Sequence, residues 1–453
     1  MAYHGQSMQP VHRSAVHRLT KVSLLTGLAV LVLALYYRGA VQQLTHVNTD
    51  MHRTDQSAYM DYARQMRGSD YRYVGDRNRM PVYPFIQSLS CTPDLSPEGH
   101  FLRGKYVNLL LSLVVLAAAG AILSRLLGLL AALTLTLITA FTVFIFKAGY
   151  FQAELLFYGL NFALFLLMAR LLQRPTWPVA ILCGGVAALA HLTKASILPG
   201  LLLFLLAAAV RAAAMWRHRS ATLRQWLIIP LVAACFLLAV YPYIHNSKRV
   251  FGRYFYNVNS TFYIWYDSWA EARQGTRAHG DRVGWPDMPP DQIPTLSKYL
   301  REHTGAQLLQ RVGDGSRRVV DNMAHSYGYF KYILIYLVLF LIACIWRWPR
   351  ARDAIAQHPV LILFTLTYFA MYFLLYAWYA PIADGNRLIL AQFLPLMFVL
   401  AAAITHMLEG LSLRAAGRSI PVLAAIHAAV LLILSVDVYF IFTQRITTIY
   451  GGC

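Results

Sequence analysis

Charge is scarce in this sequence. Asp, Glu, Lys and Arg together make up 13% of its 453 residues, and a soluble globular chain carries about twice that fraction. An ordinary soluble domain is therefore excluded. Acidic residues are the scarcer sign, with 20 Asp and Glu against 40 Lys and Arg.

Cysteine is also sparse, and its spacing follows no pattern. No pair has the spacing of metal ligands, no disulfide framework is visible, and three of the five lie in apolar runs, where small core residues are common. The cysteines are Cys91, Cys183, Cys235, Cys344 and Cys453.

No nucleic-acid-binding module accompanies the net charge of +20. Positive charge in a membrane protein usually marks cytoplasmic loops, and an anionic lipid or a phosphate substrate can use the remainder. We therefore predict membrane lipids as partners and no nucleic acid.

Apolar residues are abundant, at 58% of the chain, and several runs reach the ~18–20 residues that cross a bilayer. The runs are continuous and rich in Leu and Ala, which favours helices over a β-barrel. The predicted fold class is an all-α polytopic membrane protein with about eleven transmembrane helices and two long extracytoplasmic loops that contain short interfacial helices. The predicted helices cover 22–37, 106–123, 126–146, 153–170, 178–192, 197–213, 226–243, 330–346, 360–379, 388–406 and 420–442.

The distribution of basic residues predicts the orientation. The segments assigned to the cytoplasm hold fifteen Lys and Arg and two acidic residues, so the N-terminus is inside, and an odd number of helices puts the C-terminus outside. The first apolar run follows basic residues but has no small-residue cleavage site after it, so we interpret it as a retained helix. A bacterial plasma membrane is predicted, or the ER membrane in a eukaryote. The divisions are a cytoplasmic tail (1–21), a transmembrane domain (22–443) with external loops at 38–105 and 244–329, and an external tail (444–453).

With the N-terminus inside, every segment that follows an odd-numbered helix is predicted to be external, and these segments contain many polar residues. Seventeen of the twenty acidic residues fall in external segments, although translocated loops that merely carry fewer constraints would give the same bias. Asp437, in the last helix, is expected to pair with Arg445 or to lie close to water, because acids inside a membrane are costly. The external candidates are Asp50, Asp55, Glu154, Lys194 and the turn 384–387.

The two long loops contain helix-like segments. Residues 54–66 carry an apolar stripe of Ala58, Tyr62 and Met66, and Asp55 falls in the first turn, where the helix dipole favours a charged carboxylate. The alternative is that Asp55 or Thr54 only caps this helix. In the second loop, residues 295–312 are typical of an amphipathic helix lying on the membrane.

Five short motifs occur in an order that resembles the GT-C glycosyltransferases, the group that includes protein O-mannosyltransferases and lipid A aminoarabinose transferases. The resemblance covers about residues 20–410, and the first loop lacks the adjacent Asp-Glu pair usual in protein O-mannosyltransferases. The motifs are Asp55-x-x-x-Tyr59-x-x-x-Ala63, Arg79-x-Pro81-x-Tyr83-Pro84, Gln152-Ala-Glu154, Leu192-Thr-Lys194-Ala-Ser-Ile-Leu-Pro199-Gly200 and Gly385-Asn386-Arg387 followed by Pro395.

The resemblance implies an inverting transfer of a sugar from a polyprenyl phosphate to a hydroxyl of a glycan, lipid or protein acceptor. It implies Asp55 as the general base, with a proton affinity raised by partial desolvation, and Glu154 as a residue that orients the acceptor or shares the base role. Arg387 is the first candidate for the leaving phosphate. The further substrate-binding candidates are Lys194, Arg79, Tyr59, Tyr83 and Asp50, and Arg77 could also reach the phosphate.

The need for a cofactor is left open. Asp50, His52 and Asp55 lie close together in sequence, and hard cations favour carboxylates, but their spacing matches no strict metal motif. No metal ligand is therefore assigned, and a divalent metal stays an option.

Two other functions fit a polytopic chain of this kind. A polymerase or ligase of lipid-linked glycans would concentrate its functional residues in the second loop, around Arg273, Arg277, His279 and Arg282. A transporter or flippase of lipid-linked sugars would show inverted repeats and broken helices near the middle of the membrane, and neither is evident.

Overall fold

The computed structural model describes residues 27, 29–73, 75, 77–92, 94–217, 223–383, 385–415 and 418–448. The predicted tail 1–21, Asp384 and residues 449–453 lie outside the described residues. Within them, the fold is all-α apart from one antiparallel hairpin that pairs Ser412–Ala415 with Arg418–Pro421.

All eleven predicted apolar helices are present. The first is helical over residues 29–42 and continues as a π-helix at Gln43–Val47, and Trp177–His191 is a shorter apolar helix. Nine more are long and apolar enough to span a bilayer within the described part of the chain, as expected of a multi-pass membrane protein. They are Pro97–Leu127, Leu129–Lys147, Glu154–Gln173, Ala195–Trp216, Gln225–Phe251, Tyr329–Trp346, Pro359–Tyr379, Ile389–Leu408 and Val422–Arg445.

Two membrane helices extend beyond their apolar runs. The second membrane helix begins at Pro97 instead of 106, because the Ser96 side chain accepts a hydrogen bond from the Gly99 amide and Pro97 starts the first turn. The seventh runs past 243 to Phe251. The loops are therefore shorter than the predicted 38–105 and 244–329, since apolar length marks the membrane and not the helix end.

The two long loops contain the predicted helices with one correction. The helix expected at 54–66 is Gln56–Gly68. The single helix expected at 295–312 is wrong: Leu296–Glu302 ends before a new helix, Gly305–His325, which begins with a capping box between Thr304 and Gln307.

Helix Gly305–His325 packs against a membrane helix instead of only lying on the bilayer surface. A Cβ atom added at Gly315 would overlap the Ala377 carbonyl of helix Pro359–Tyr379. Only glycine permits this approach, which anchors the second loop to the helix bundle.

Buried polar contacts inside the bundle fix the start of helix Ile389–Leu408. The Asn161 amide donates to the Ala391 carbonyl at 2.7 Å, and the Tyr368 hydroxyl donates to the Asn161 side-chain oxygen at 3.1 Å. Because unmade hydrogen bonds are costly in an apolar interior, these contacts set the position of the turn that precedes the helix and carries Arg387.

Gly315→Ala is expected to destabilise the protein by about 1–3 kcal/mol, the usual effect of overpacking. Gly313→Ala is the matched control, because an added Cβ there meets nothing within 4 Å, and alanine in an exposed helical position is about 0.5–1 kcal/mol better than glycine. Thermal unfolding of both variants in detergent should shift the midpoint in opposite directions. Equal shifts would contradict the close packing at Gly315.

Candidate active site

The Asp55 carboxylate is shared between two guanidinium groups. Its Oδ1 accepts a hydrogen bond from Arg79 Nη2 at 2.6 Å, and its Oδ2 accepts one from Arg387 Nη1 at 2.6 Å. Asp55 occupies the N-cap position of helix Gln56–Gly68, yet its side chain makes no capping bond. Both oxygens point to arginines, so capping is not the role of this side chain.

The backbone before Asp55 is strained. Thr54 has φ of +62°, a left-handed conformation that is unfavourable for a β-branched residue. The Thr54 hydroxyl accepts a hydrogen bond from the Gln152 amide at 2.6 Å. On the other side, the buried Gln56 side chain bonds to Asn48 and accepts from the Phe151 amide at 2.8 Å. The turn between helices Leu129–Lys147 and Glu154–Gln173 therefore holds the strained segment in place.

Arg79 rests on aromatic rings. Its guanidinium lies 5.5 Å from the Tyr59 ring centroid, within the range of a cation–π contact. Tyr59 in turn packs edge-on against Tyr83, with centroids 5.3 Å apart. The Tyr83 ring is fully buried and its hydroxyl accepts from Gln87 at 2.8 Å. Both tyrosines, predicted to bind substrate, thus lie beneath the site and support Arg79.

Arg387 reaches Asp55 from a turn 332 residues later in the chain. The carbonyl of Arg387 accepts a hydrogen bond from the Tyr158 hydroxyl at 2.8 Å. Its side chain is 23% exposed, so it is mostly but not completely buried.

A second ion pair lies beside the first. Lys194 Nζ donates to Glu154 Oε1 at 2.7 Å, and the Glu154 side chain is only 3% exposed. Both residues are within electrostatic range of Arg387. The other Glu154 oxygen, Oε2, is buried and has no hydrogen-bond partner among the described residues.

The electrostatics of Asp55 differ from the expectation. Burial raises the pKa of the Asp55 carboxyl, but the attraction and hydrogen bonds of Arg79 and Arg387 outweigh burial and hold that pKa well below its usual range. The expected rise in proton affinity is therefore wrong for this arrangement. Burial lowers the pKa of the Arg387 guanidinium and the Asp55 and Glu154 carboxylates raise it, with a net increase.

Asp50 and Arg77 lie outside this cluster of contacts. The Asp50 carboxylate accepts from the His52 amide at 2.8 Å. Arg77 is 1% exposed, donates to Asn246 at 2.8 Å and stacks over the Tyr243 ring at 3.9 Å, so these contacts hold its guanidinium in a buried aromatic site. Within the described ranges, no group of three or more His, Cys, Asp or Glu is arranged to hold a metal ion, and the Asp50, His52 and Asp55 set is included in that statement.

The second loop covers the site through residues that the sequence did not single out. Asn259 donates to the Asn78 side-chain oxygen at 3.0 Å and accepts from the Tyr379 hydroxyl at 3.0 Å. Asn78 is adjacent to Arg79, so this bridge ties both loops and a membrane helix together at the site. Asparagines in polar loops carry no periodicity, and no local signal marks these contacts.

No protein-family model and no curated protein matches the chain. Among solved structures, the crystal structure of ArnT from Cupriavidus metallidurans bound to undecaprenyl phosphate superposes with 15% sequence identity over 84% of this chain and 78% of that chain, at a TM-score of 0.34. The apo form of the same protein gives 16% identity over 85% and 78% of the two chains, at a TM-score of 0.35.

The contacts within the site and the order of the motifs, and not these superpositions, support the function proposed below.

The lowered pKa of Asp55 predicts how the stability of the protein changes with pH. A carboxyl group whose pKa is depressed on folding stabilises the protein above its unfolded pKa of about 4, and that contribution is lost as the pH falls through the folded value. Between pH 5 and pH 3 the thermal midpoint should therefore fall more steeply in the wild type than in Asp55→Asn. The exposed Asp61, on the same helix, supplies the control: Asp61→Asn should keep the wild-type slope. Parallel curves for the wild type and Asp55→Asn would contradict the ion pairs.

Proposed function

We propose that this protein is a membrane glycosyltransferase that moves a sugar from a polyprenyl-phosphate donor to an acceptor hydroxyl at the extracytoplasmic face. The observation that carries the proposal is the Asp55 carboxylate held by Arg79 and Arg387, with the Glu154–Lys194 ion pair beside it. These groups come from four segments: the first loop, the start of helix Glu154–Gln173, the residue before helix Ala195–Trp216 and the turn before helix Ile389–Leu408. The last three segments lie at the ends of membrane helices, and a donor with a long lipid presents its phosphate near such helix ends.

The two arginines provide the phosphate site. Guanidinium groups bind phosphate oxygens in a bidentate way, and a carboxylate that bridges two of them occupies the place that a phosphate would take. Donor binding then exchanges one anion for another: the phosphate takes over Arg79 and Arg387, and Asp55 is released. Fixed cations facing the charge that develops on a leaving phosphate lower the barrier by several kcal/mol.

The exchange also activates the base. In the free protein the arginines keep Asp55 weakly basic. Once they bind phosphate, the burial of Asp55 is no longer offset to the same extent, so its pKa rises. The carboxylate then takes the proton of the acceptor hydroxyl, the acceptor oxygen bonds to the anomeric carbon, and the bond from that carbon to the phosphate oxygen breaks. The electron pair leaves with the polyprenyl phosphate, and the configuration of the sugar is inverted.

Glu154 is suited to hold a hydroxyl group. Lys194 occupies one of its oxygens, and the buried Oε2 has no partner among the described residues. A buried acceptor of this kind costs free energy unless a donor completes it. A hydroxyl of the acceptor or of the sugar supplies that donor.

The residues that the polymerase or ligase alternative needs lie in the second loop, where Arg277 lies over the Trp269 ring at 5.2 Å. The apolar cluster that includes Tyr263 and Phe262 is continuous with the candidate site, because Tyr379 packs against it and donates to Asn259.

Transfer should depend on Asp55. Asp55→Asn is expected to reduce turnover by about 10²–10⁴-fold, the usual contribution of a general base, whereas the exposed Asp61→Asn should retain activity. The measurement is release of polyprenyl phosphate by purified protein in nanodiscs, across a panel of radiolabelled polyprenyl-phosphate sugars and acceptors. Equal turnover of the wild type and Asp55→Asn on an active pair would remove Asp55 as the base.

Asp55→Asn should bind polyprenyl phosphate more tightly, although it transfers the sugar more slowly. Since Asp55 competes for the arginines, Asp55→Asn is expected to bind polyprenyl phosphate more tightly, by about ten-fold, which corresponds to one charge-assisted hydrogen bond. Arg387→Gln should weaken the same binding. Equilibrium titration of each purified variant with polyprenyl phosphate measures both effects, and weaker binding by Asp55→Asn would contradict the anion exchange.

A further inference from the structure

A cleft separate from the Asp55 cluster opens between three membrane helices. Its volume is about 430 Å³, which is within the range of ligand pockets. Helices Leu129–Lys147, Tyr329–Trp346 and Val422–Arg445 form its walls. The residues that matter for its chemistry are Thr142, Tyr327, Lys331, Asp437, Phe440 and Arg445.

The cleft lies at the helix ends that face the same side as the candidate active site. Lys331 is in the first turn of helix Tyr329–Trp346, and Arg445 ends helix Val422–Arg445. The first helix leads into the Asp55 loop, and the side chain of Gln43 at its end donates to the Ile446 carbonyl at 2.6 Å. The cleft is therefore at the depth where the headgroups of the outer leaflet would lie.

Its charges favour an anion. Lys331 pairs with Asp437 at 2.5 Å, and the Tyr332 hydroxyl also donates to that carboxylate at 2.5 Å. The sequence predicted that Asp437 pairs with Arg445 or lies close to water. Asp437 pairs with Lys331, and Arg445 lines the same cleft. Two cations against one carboxylate leave a net charge of +1 among the lining side chains, and the Lys331 side chain is 46% exposed.

A third cation lies behind the wall of the cleft. Lys147 is 1% exposed, and its ammonium has no hydrogen-bond partner among the described residues. That ammonium lies 5.4 Å from the ring centroid of Tyr327, which lines the cleft. A buried ammonium is screened little by solvent, and Lys147 is also within electrostatic range of the Glu154 carboxylate, so its positive charge acts on both the cleft and the candidate active site.

The apolar edge of the cleft suits a lipid chain. Phe440 lines the opening and is 42% exposed, and the adjacent Tyr439 is 65% exposed on the same helix. A ligand that fits therefore joins an anionic group to a hydrocarbon chain. We propose that this cleft binds the phosphate group of an anionic membrane lipid, with Lys331 and Arg445 as its cations and the lipid chain along Phe440.

Two sources carry this chemistry, namely a bulk phospholipid and a polyprenyl phosphate. Purified full-length protein in detergent is titrated separately with phosphatidylglycerol, with undecaprenyl phosphate and with zwitterionic phosphatidylcholine, and bound lipid is counted by native mass spectrometry. Preference for an anionic lipid over phosphatidylcholine that is reduced in Arg445→Gln supports the site, and the anionic lipid whose binding falls more in that variant identifies the source. Equal binding of all three lipids would overturn the proposal.

A charge series tests the residues. Arg445→Gln is expected to weaken phosphatidylglycerol binding by about five-fold, since one basic residue near a membrane surface contributes about 1 kcal/mol. Asp437→Asn removes the competing carboxylate and should strengthen binding by a similar factor. Damage to the fold would weaken binding in every variant, so opposite signs exclude it, and weaker binding by Asp437→Asn would overturn the proposal.

Two controls complete the experiment. Arg317→Gln changes an 87%-exposed arginine on the external helix Gly305–His325 and should leave binding unchanged. Arg445→Gln should weaken phosphatidylglycerol binding by the same factor in the wild type and in an Asp55→Asn background, because the cleft does not include Asp55. An effect of Arg445→Gln that does not depend on Asp55 therefore separates this site from the proposed function.

Discussion

The bridge from Asp55 to two arginines is the interaction on which the rest of the site depends. Two charges at hydrogen-bond distance in a partly buried position attract each other by several kcal/mol more than they would in water. That attraction links a loop after the first helix, the segment that follows it, and a turn more than three hundred residues later. The supporting contacts of Thr54, Tyr59 and Asn161 place the three ends of this bridge.

The same bridge sets a balance between stability and chemistry. Arg79 and Arg387 stabilise the folded site only while Asp55 is ionised, and they keep that carboxylate a poor proton acceptor. A ligand anion that binds Arg79 and Arg387 is stabilised by them in place of Asp55, and the Asp55 carboxylate is released at the same time. The Glu154–Lys194 pair lies beside this exchange without sharing its hydrogen bonds, and it leaves one carboxylate oxygen open.

Much of the fold could be predicted from the sequence because it follows from apolar length. All eleven helices were found this way, and basic residues together with helix parity grouped Asp55, Glu154, Lys194 and Arg387 on one face. The pairing of these residues could not be predicted, since it depends on how distant helices pack. Arg77 and Arg79 illustrate the limit: they are two residues apart, yet Arg77 has a positive φ and points into a buried aromatic site, and no periodicity marks that reversal.

The remaining errors have similar causes. Asp55 was expected to hold its proton more tightly because only its apolar surroundings could be inferred, whereas its two cations come from other segments. The break between Leu296–Glu302 and Gly305–His325 depends on a capping box at Thr304, which outweighs the continuous apolar stripe. Tyr59 and Tyr83 occur in the motifs of the site, but their burial is a property of packing and not of sequence order.

Thr54 shows how such a site constrains the evolution of the chain. Glycine or asparagine would relax its left-handed backbone, so selection for thermal robustness alone favours replacing it. The hydroxyl that receives the Gln152 hydrogen bond would then be lost. Engineering that ranks substitutions by backbone strain alone would replace Thr54 early. The protein would gain thermal stability, but the Asp55 carboxylate next to it would be held less firmly in position.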